Sequence, residues 1–292
     1  MSMDPSPRLV PPRYHATPRD LALLRDVWLF RYLTAVQVSR LHFGHLKIAQ
    51  RRLRKITALD LVRRFRLPSA TPFGDQRFIY CLSRRGAREV AGAEGLAPHE
   101  ILAPGHAPTA LGFLAHHEIL TDVRLWLREA CQAHGFAYRF VPAYEEVRHG
   151  GRRRRRVALQ IGATQYIPDG VFALDRAGGR SALFVLEIDR GTEPLHRATG
   201  SSVQAKLGLF RTAFDEGLAT YADLFGVAFK GARLLWVVPD DSRRQAVLEL
   251  AVSEDLSPLV WATTTQQVSR RGSLSEPIWF VSGRQDPHAF DE

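Results

Sequence analysis

The stretch that most constrains this chain is Ala182–Asp189, ALFVLEID. Along a strand the side chains alternate, so Val185, Glu187 and Asp189 share one face and Phe184, Leu186 and Ile188 the other. Both faces are apolar up to the acidic end. Such a strand sits in the middle of a sheet, buried on both sides. Two carboxylates at its end are costly unless they are paired or bind a metal.

The preceding strand, Tyr166–Leu174, joins it through a turn centred near Ala177–Gly179. Antiparallel pairing about that centre sets Asp169 opposite a residue between 185 and 189. Asp169, Glu187 and Asp189 are then expected to converge at one end of the sheet. Three carboxylates suit Mg²⁺ or Mn²⁺, which prefer oxygen ligands. Such a metal activates water and stabilises charge on a phosphodiester. A cation is also needed. Lys206 lies at the edge of the stripe Val203, Leu207, Phe210 and Phe214, from which it can lean over the sheet. The alternative is a structural network in which Glu187 or Asp189 pairs with Arg190 or Lys206.

The chain has 292 residues, enough for two domains. Around the acidic strands the pattern predicts a helix over Leu114–His134 and strands over Ala137–Val147 and Val157–Ile161. A helix over 201–216, a strand Leu234–Val238, a helix Ser242–Val252 and short strands at Val260 and Ile278 follow. Helices interleaved with antiparallel and apolar strands make an α+β or α/β domain around a mixed sheet.

The first third differs in charge. Residues 1–95 hold 18 Lys/Arg against 7 Asp/Glu, while the rest of the chain is close to balanced. Such asymmetry points to a polyanion, most often nucleic acid. After a proline-rich arm over 1–15, Thr17, Pro18 and Asp20 form a helix start, and Thr34 with Gln37 forms a second. Gly44 ends the second helix. A third runs over Leu46–Ala58, with Ile48, Leu53 and Ile56 as its apolar positions. Strand-like runs Leu61–Leu67 and Arg77–Leu82 flank a turn-rich tip, SATPFGDQ, and Ser83 opens a further helix. Three helices and a hairpin are the order of a winged helix-turn-helix. Lys47, Arg51, Arg52, Arg54 and Lys55 crowd the third helix, which suits a major groove. Arg63, Arg64, Arg66 and Arg77 on the wing would reach the neighbouring backbone. Prolines 98, 104 and 108 mark 92–112 as a linker. The domains are therefore expected at 16–91 and 113–282.

Arg152, Arg153, Arg154, Arg155 and Arg156 follow a Gly150-Gly151 turn and are read as a mobile phosphate-binding loop, with a solvated tip as the alternative. No run approaches 18 apolar residues, so a transmembrane helix and a membrane partner are excluded. The N-terminus has no apolar signal core, and Cys81 and Cys131 make no disulfide framework, so a cytoplasmic location is expected. No Walker-type loop or G-x-S-x-G occurs. His116 and His117 are adjacent, unlike the His-hydrophobe-His motif of tyrosine relaxases.

The runs TPRDLALLRDVWLFRYLTAVQVSRLHF, AQRRLRKI, RFIYCLSRRG, HHEILTDV, IPDGVFAL, FVLEIDRGTE and QAKLGLF together resemble the replication-relaxation family of plasmid and mobile-element proteins. The resemblance implies a winged helix and a second domain similar to the PD-(D/E)XK nucleases. Asp169 matches the first aspartate, Glu187 the following acid, and Glu118 an extra acid that some such nucleases use. Asp189 stands where a lysine is usual. Some relatives carry that lysine on the next helix, which would make Lys206 the substitute.

Two functions are therefore weighed. One is a DNA-binding protein of a plasmid or mobile element with a Mg- or Mn-dependent DNA-nicking domain. The other is a non-enzymatic winged-helix replication, relaxosome or transcription factor whose second domain dimerises or recruits. The expected partners are double-stranded DNA, a second copy in a homodimer, and replication or relaxosome proteins.

Overall fold

The structure, a computed structural model, describes residues 16–67, 77–101, 111–149, 152–176, 181–197, 201–215, 219–270 and 273–290. The expected N-terminal arm, the wing tip and the Gly150-Gly151 and Gly178-Gly179 turns lie outside these residues. The chain divides into two compact units, Met1–Glu118 and Ile119–Glu292.

In the first unit, α1 (Pro18–Phe30) starts at Thr17, whose hydroxyl accepts from Asp20 N while the Asp20 carboxylate accepts from Thr17 N. Thr34 and Gln37 repeat this reciprocal cap where β1 (Leu33–Thr34) passes into α2 (Ala35–Val38). One π turn, Ser39–Phe43, then ends at Gly44, whose φ of 70° favours glycine. The basic helix is α3 (Leu46–Ala58). Its buried face is Ala49, Leu53 and Ile56, at i, i+4 and i+7. Ile48 was expected in that stripe but is 46% exposed, because it lies one position off the row.

Next come β2 (Val62–Arg66) and β3 (Phe78–Leu82), an antiparallel pair with Arg64 opposite Tyr80. The two residues of β1 add a third strand, with Leu33 opposite Tyr80. A strand that short carries no periodicity, so the pattern could not show it. Ser83 caps α4 (Arg84–Glu94). Gly86 lies against the Leu61 carbonyl, where a Cβ would stand 2.0 Å from the oxygen. The expected linker begins inside α4 and contains α5 (Pro98–Ile101). The unit boundary falls later, within α6 (Leu111–His134), because the first turns of α6 serve the first unit's core. There Leu114 packs with Tyr32 and Cys81, and buried His117 meets the Phe30 carbonyl at 2.6 Å.

The second unit is a mixed α+β domain. Its elements are β4 (Phe136–Pro142), β5 (Glu146–His149), β6 (Arg152–Arg155), β7 (Leu159–Ile161), β8 (Thr164–Tyr166), β9 (Gly170–Arg176), β10 (Ala182–Ile188), α7 (Val203–Asp215), α8 (Ala219–Phe225), β11 (Ala232–Val238), α9 (Asp241–Ser253), β12 (Val260–Thr264), α10 (Thr265–Ser269), β13 (Trp279–Val281) and β14 (Pro287–His288). A seven-stranded sheet has the order β14-β13-β12-β11-β10-β9-β4. Strands β10, β11 and β12 are parallel and the remaining neighbours antiparallel.

Two expected strands break in two. Pro142 ends β4, and Pro168 separates β8 from β9, since proline offers no N–H to a ladder. The arginine run is also a strand rather than the expected loop. It pairs with β5, setting Arg155 opposite Glu146, while Arg156 ion-pairs with Glu145.

Strand β10 is central and covered on both sides, as its composition requires. Leu183 and Val185 join a core with α7, α8 and α9, while Phe184, Leu186 and Ile188 join one with α6. On the α6 side, Phe140, Phe172 and Phe184 stack across three strands with centroids 5.8 and 4.9 Å apart. Each buried aromatic contributes about 1.5–3 kcal/mol from area alone. The packing fixes the sheet register, and with it the acidic end.

Candidate functional site

In the first unit the cations of α3 sort into two groups. Lys47, Arg51, Arg54 and Lys55 are exposed. Arg52 instead reaches back to α1, where its Nε and Nη2 donate to the fully buried Asp20. It closes the cap of α1 on α3, so it is bound to the fold rather than displayed. On the hairpin, Arg63, Arg64 and Arg66 are exposed. The Arg64 guanidinium lies over the Phe78 ring at 4.8 Å. Arg77 Nη1 donates to Glu118 Oε1 at 2.9 Å, so that carboxylate stands in the first unit and faces the residue just before β3.

In the second unit β9 and β10 pair with Gly170 opposite Leu186, which centres their turn where the spacing put it. Asp169 N donates to the Leu186 carbonyl at 3.0 Å, and Asp169 Oδ2 accepts from Ile188 N at 2.7 Å. Gly170 lets the chain pass under Phe140, since a Cβ there would stand 2.4 Å from the ring. Glu187 lies beneath α7 on the face of Val185. Its Oε2 meets Lys206 Nζ at 3.1 Å and its Oε1 accepts from Tyr166 OH at 2.9 Å. Lys206 also pairs with Glu193 at 2.9 Å.

Asp189 does not join this group. Arg243 Nε donates to its Oδ2 at 2.6 Å and Gly191 N to its Oδ1 at 2.7 Å. The sheet end thus holds two clusters: Asp169–Glu187–Lys206–Tyr166, and Asp189–Arg243. Among the described residues no group of three or more His, Cys, Asp or Glu is placed to hold a metal.

Burial pushes the Glu187 carboxyl up to about 7, with Asp169 adding to the rise and Lys206 opposing it. Burial alone would lower the Lys206 ammonium, but Glu187, Asp169 and Glu193 outweigh it and hold it above its ordinary value. Burial, with Glu187 beside it, keeps the Tyr166 phenol neutral. This is a buried carboxylate held next to a firmly charged lysine.

A family model described as replication-relaxation matches residues 21–208. The chain belongs to the replication-relaxation family. The match opens in α1 and ends two residues beyond Lys206, so in this member of the family the basic helix, the hairpin and the carboxylates all fall inside it. No curated protein and no solved structure matches the chain. Among the described residues no helix is long and apolar enough to cross a membrane.

Three participants were missing from the sequence reading: Tyr166, Glu193 and Arg243. Tyr166 precedes Pro168-Asp169 and was assigned only to a strand. Arg243 lies in the first turn of α9, where its backbone N–H donates to the capping Asp240 side chain. In a parallel pair, the helix after one strand starts beside the carboxyl end of the next, and β11 is the neighbour of β10. Strand order, rather than any local motif, would have pointed to Arg243. The side chains of Arg152 and Arg153 lie outside the description, while Arg154 and Arg155 are exposed.

Proposed function

We propose that this member of the replication-relaxation family binds double-stranded DNA through a winged helix-turn-helix in its first unit, and nicks it at the Asp169–Glu187–Lys206 end of a PD-(D/E)XK-like second unit. The observation that carries the reading is the sorting of cations on α3. Arg52 is taken up by Asp20, while Lys47, Arg51, Arg54 and Lys55 stay exposed beside the exposed arginines of the hairpin. That display suits α3 in a major groove and the hairpin on the backbone.

Asp169 and Glu187 are donors of the class that Mg²⁺ and Mn²⁺ take, and one or two carboxylates with water and substrate phosphate suffice for such an ion. These two residues would hold it, and when bound it would supply an activated water. Lys206 would place its ammonium near the phosphate on which charge builds. Tyr166 orients Glu187. The partners of this reading are duplex DNA, a second copy of the chain, and replication or relaxosome proteins.

The test is incubation of the full chain with supercoiled DNA in Mg²⁺, in Mn²⁺ and in chelator. Metal-dependent conversion to open circles supports nicking. A second reading, a non-enzymatic replication, relaxosome or transcription factor, is favoured by the Arg243–Asp189 pair, which occupies the third carboxylate. Retention of supercoiled DNA in a gel shift without nicking in any condition would establish it.

A further inference from the structure

The parallel strands β10, β11 and β12 begin at the sheet edge opposite Glu187. At that edge the second unit has a cavity of about 950 Å³. Its lining includes Lys230, Arg233, Arg284 and Trp261, with apolar wall from Leu183 and Leu259. No Asp or Glu is among the described lining residues. Lys230, Arg233 and Arg284 are exposed, and among the described residues none of the three side chains has an ion pair or hydrogen bond. The Arg233 guanidinium lies over the Trp261 ring, 4.8 Å from its centroid, a contact that holds it against the cavity wall.

Several other cations in this unit are paired: Lys206 with Glu187 and Glu193, Arg243 with Asp189, Arg139 with Asp175. Here they are gathered around a concavity against their mutual repulsion. Burial and the Arg284 charge together lower the Arg233 pKa. A cleft lined by one sign of charge focuses field on its contents and recruits the opposite charge. Arginines with open forks favour phosphate, which accepts two parallel N–H bonds. A few hundred to a thousand Å³ is the size of pocket that takes a small organic ligand.

We infer that this cavity binds the phosphate groups of a nucleotide-sized ligand, through Arg233 and Arg284 with Lys230 at the rim. Most of the lining follows the region matched by the family model, and the site is separate from the carboxylates at the other end of the sheet. The inference is independent of DNA binding by the first unit.

Calorimetric titration of the full chain with inorganic tripolyphosphate, with ATP and with a short DNA duplex tests it. Wild type is expected to bind tripolyphosphate and ATP at low salt. Arg233→Gln and Arg284→Gln should each weaken that binding roughly tenfold, on the scale of one charge-assisted hydrogen bond. Arg233→Lys, which keeps the charge but loses the fork, should fall between. Both positions are exposed, and an unchanged melting temperature checks that the variants fold. If wild type binds neither small phosphate, but the double glutamine variant lowers the salt slope of duplex binding by about two, the phosphates are those of the DNA backbone. No binding of tripolyphosphate or ATP, together with an unchanged duplex slope, overturns the inference.

Discussion

Arg243 Nε donates to Asp189 Oδ2 at 2.6 Å across 54 residues of chain. The same guanidinium bonds the Glu193 carbonyl at 2.5 Å, tying the loop after β10 to the start of α9. The pair is nearly dry, with side-chain exposures of 14% and 2%. It therefore separates Asp189 from Asp169 and Glu187 and gives it a structural task. Removing one member leaves a buried charge alone, which typically costs 3–5 kcal/mol. Arg243→Ala should lower urea stability of the second unit by about 3 kcal/mol. Adding Asp189→Asn should recover part of that loss. A single variant as stable as wild type would contradict the assignment.

DNA binding and stability should separate along α3. Arg51→Ala, Arg54→Ala and Lys55→Ala together should weaken duplex binding and lower its salt slope by roughly one unit per lost phosphate contact, with little change in melting temperature. Arg52→Ala should do the reverse, since it strands the carboxylate of Asp20 at 0% exposure. Its cost should be about 3 kcal/mol, read as a lower denaturation midpoint of the first unit. Salt-slope titrations and melts of the same proteins decide between these roles.

The second unit should lose stability as pH rises toward neutrality. Folded Glu187 keeps its proton up to about pH 7, against an ordinary value of 4.5. Between those values the native state binds a proton that the unfolded chain does not, so the contribution is complete below 4.5 and is lost as pH passes 7. Lys206, held above its ordinary 10.5, acts with the same sign only in alkali. Melts in chelator from pH 4.5 to 8 should slope downward in wild type and be flatter in Glu187→Gln.

If the chain nicks DNA, Lys206→Ala should reduce turnover by about two orders of magnitude, the scale of losing one transition-state electrostatic contact, with DNA affinity nearly intact. Mn²⁺ titration should show one site that Asp169→Ala abolishes. Equal turnover in wild type and Lys206→Ala would remove the lysine from the chemistry.

Gly86→Ala should destabilise the first unit by at least 1–3 kcal/mol, because the added carbon meets the Leu61 carbonyl rather than a movable side chain. Gly92→Ala, on the same helix with open space around it, should be neutral or stabilising. Denaturation midpoints of the two variants provide the comparison.

Local chemistry was readable wherever it acts over a few residues. The reciprocal caps at Thr17–Asp20 and Thr34–Gln37, the span of α3, and the turn that brings Asp169 to Glu187 all follow from spacing, since a cap closes within one turn and a hairpin pairs about its centre. The two-faced burial of β10 followed from its composition, and the reach of Lys206 to Glu187 from its place at the edge of an apolar stripe. Pairings between distant elements were not readable. Arg52 looks like any other cation of its helix until α1 brings Asp20 against it, and Asp189 looks like a third ligand until β11 becomes the parallel neighbour of β10 and delivers Arg243. Charge along a chain shows how many partners are needed. Which partners meet is decided by strand order and helix packing, because an ion pair acts over a few ångströms of space whatever the separation in sequence.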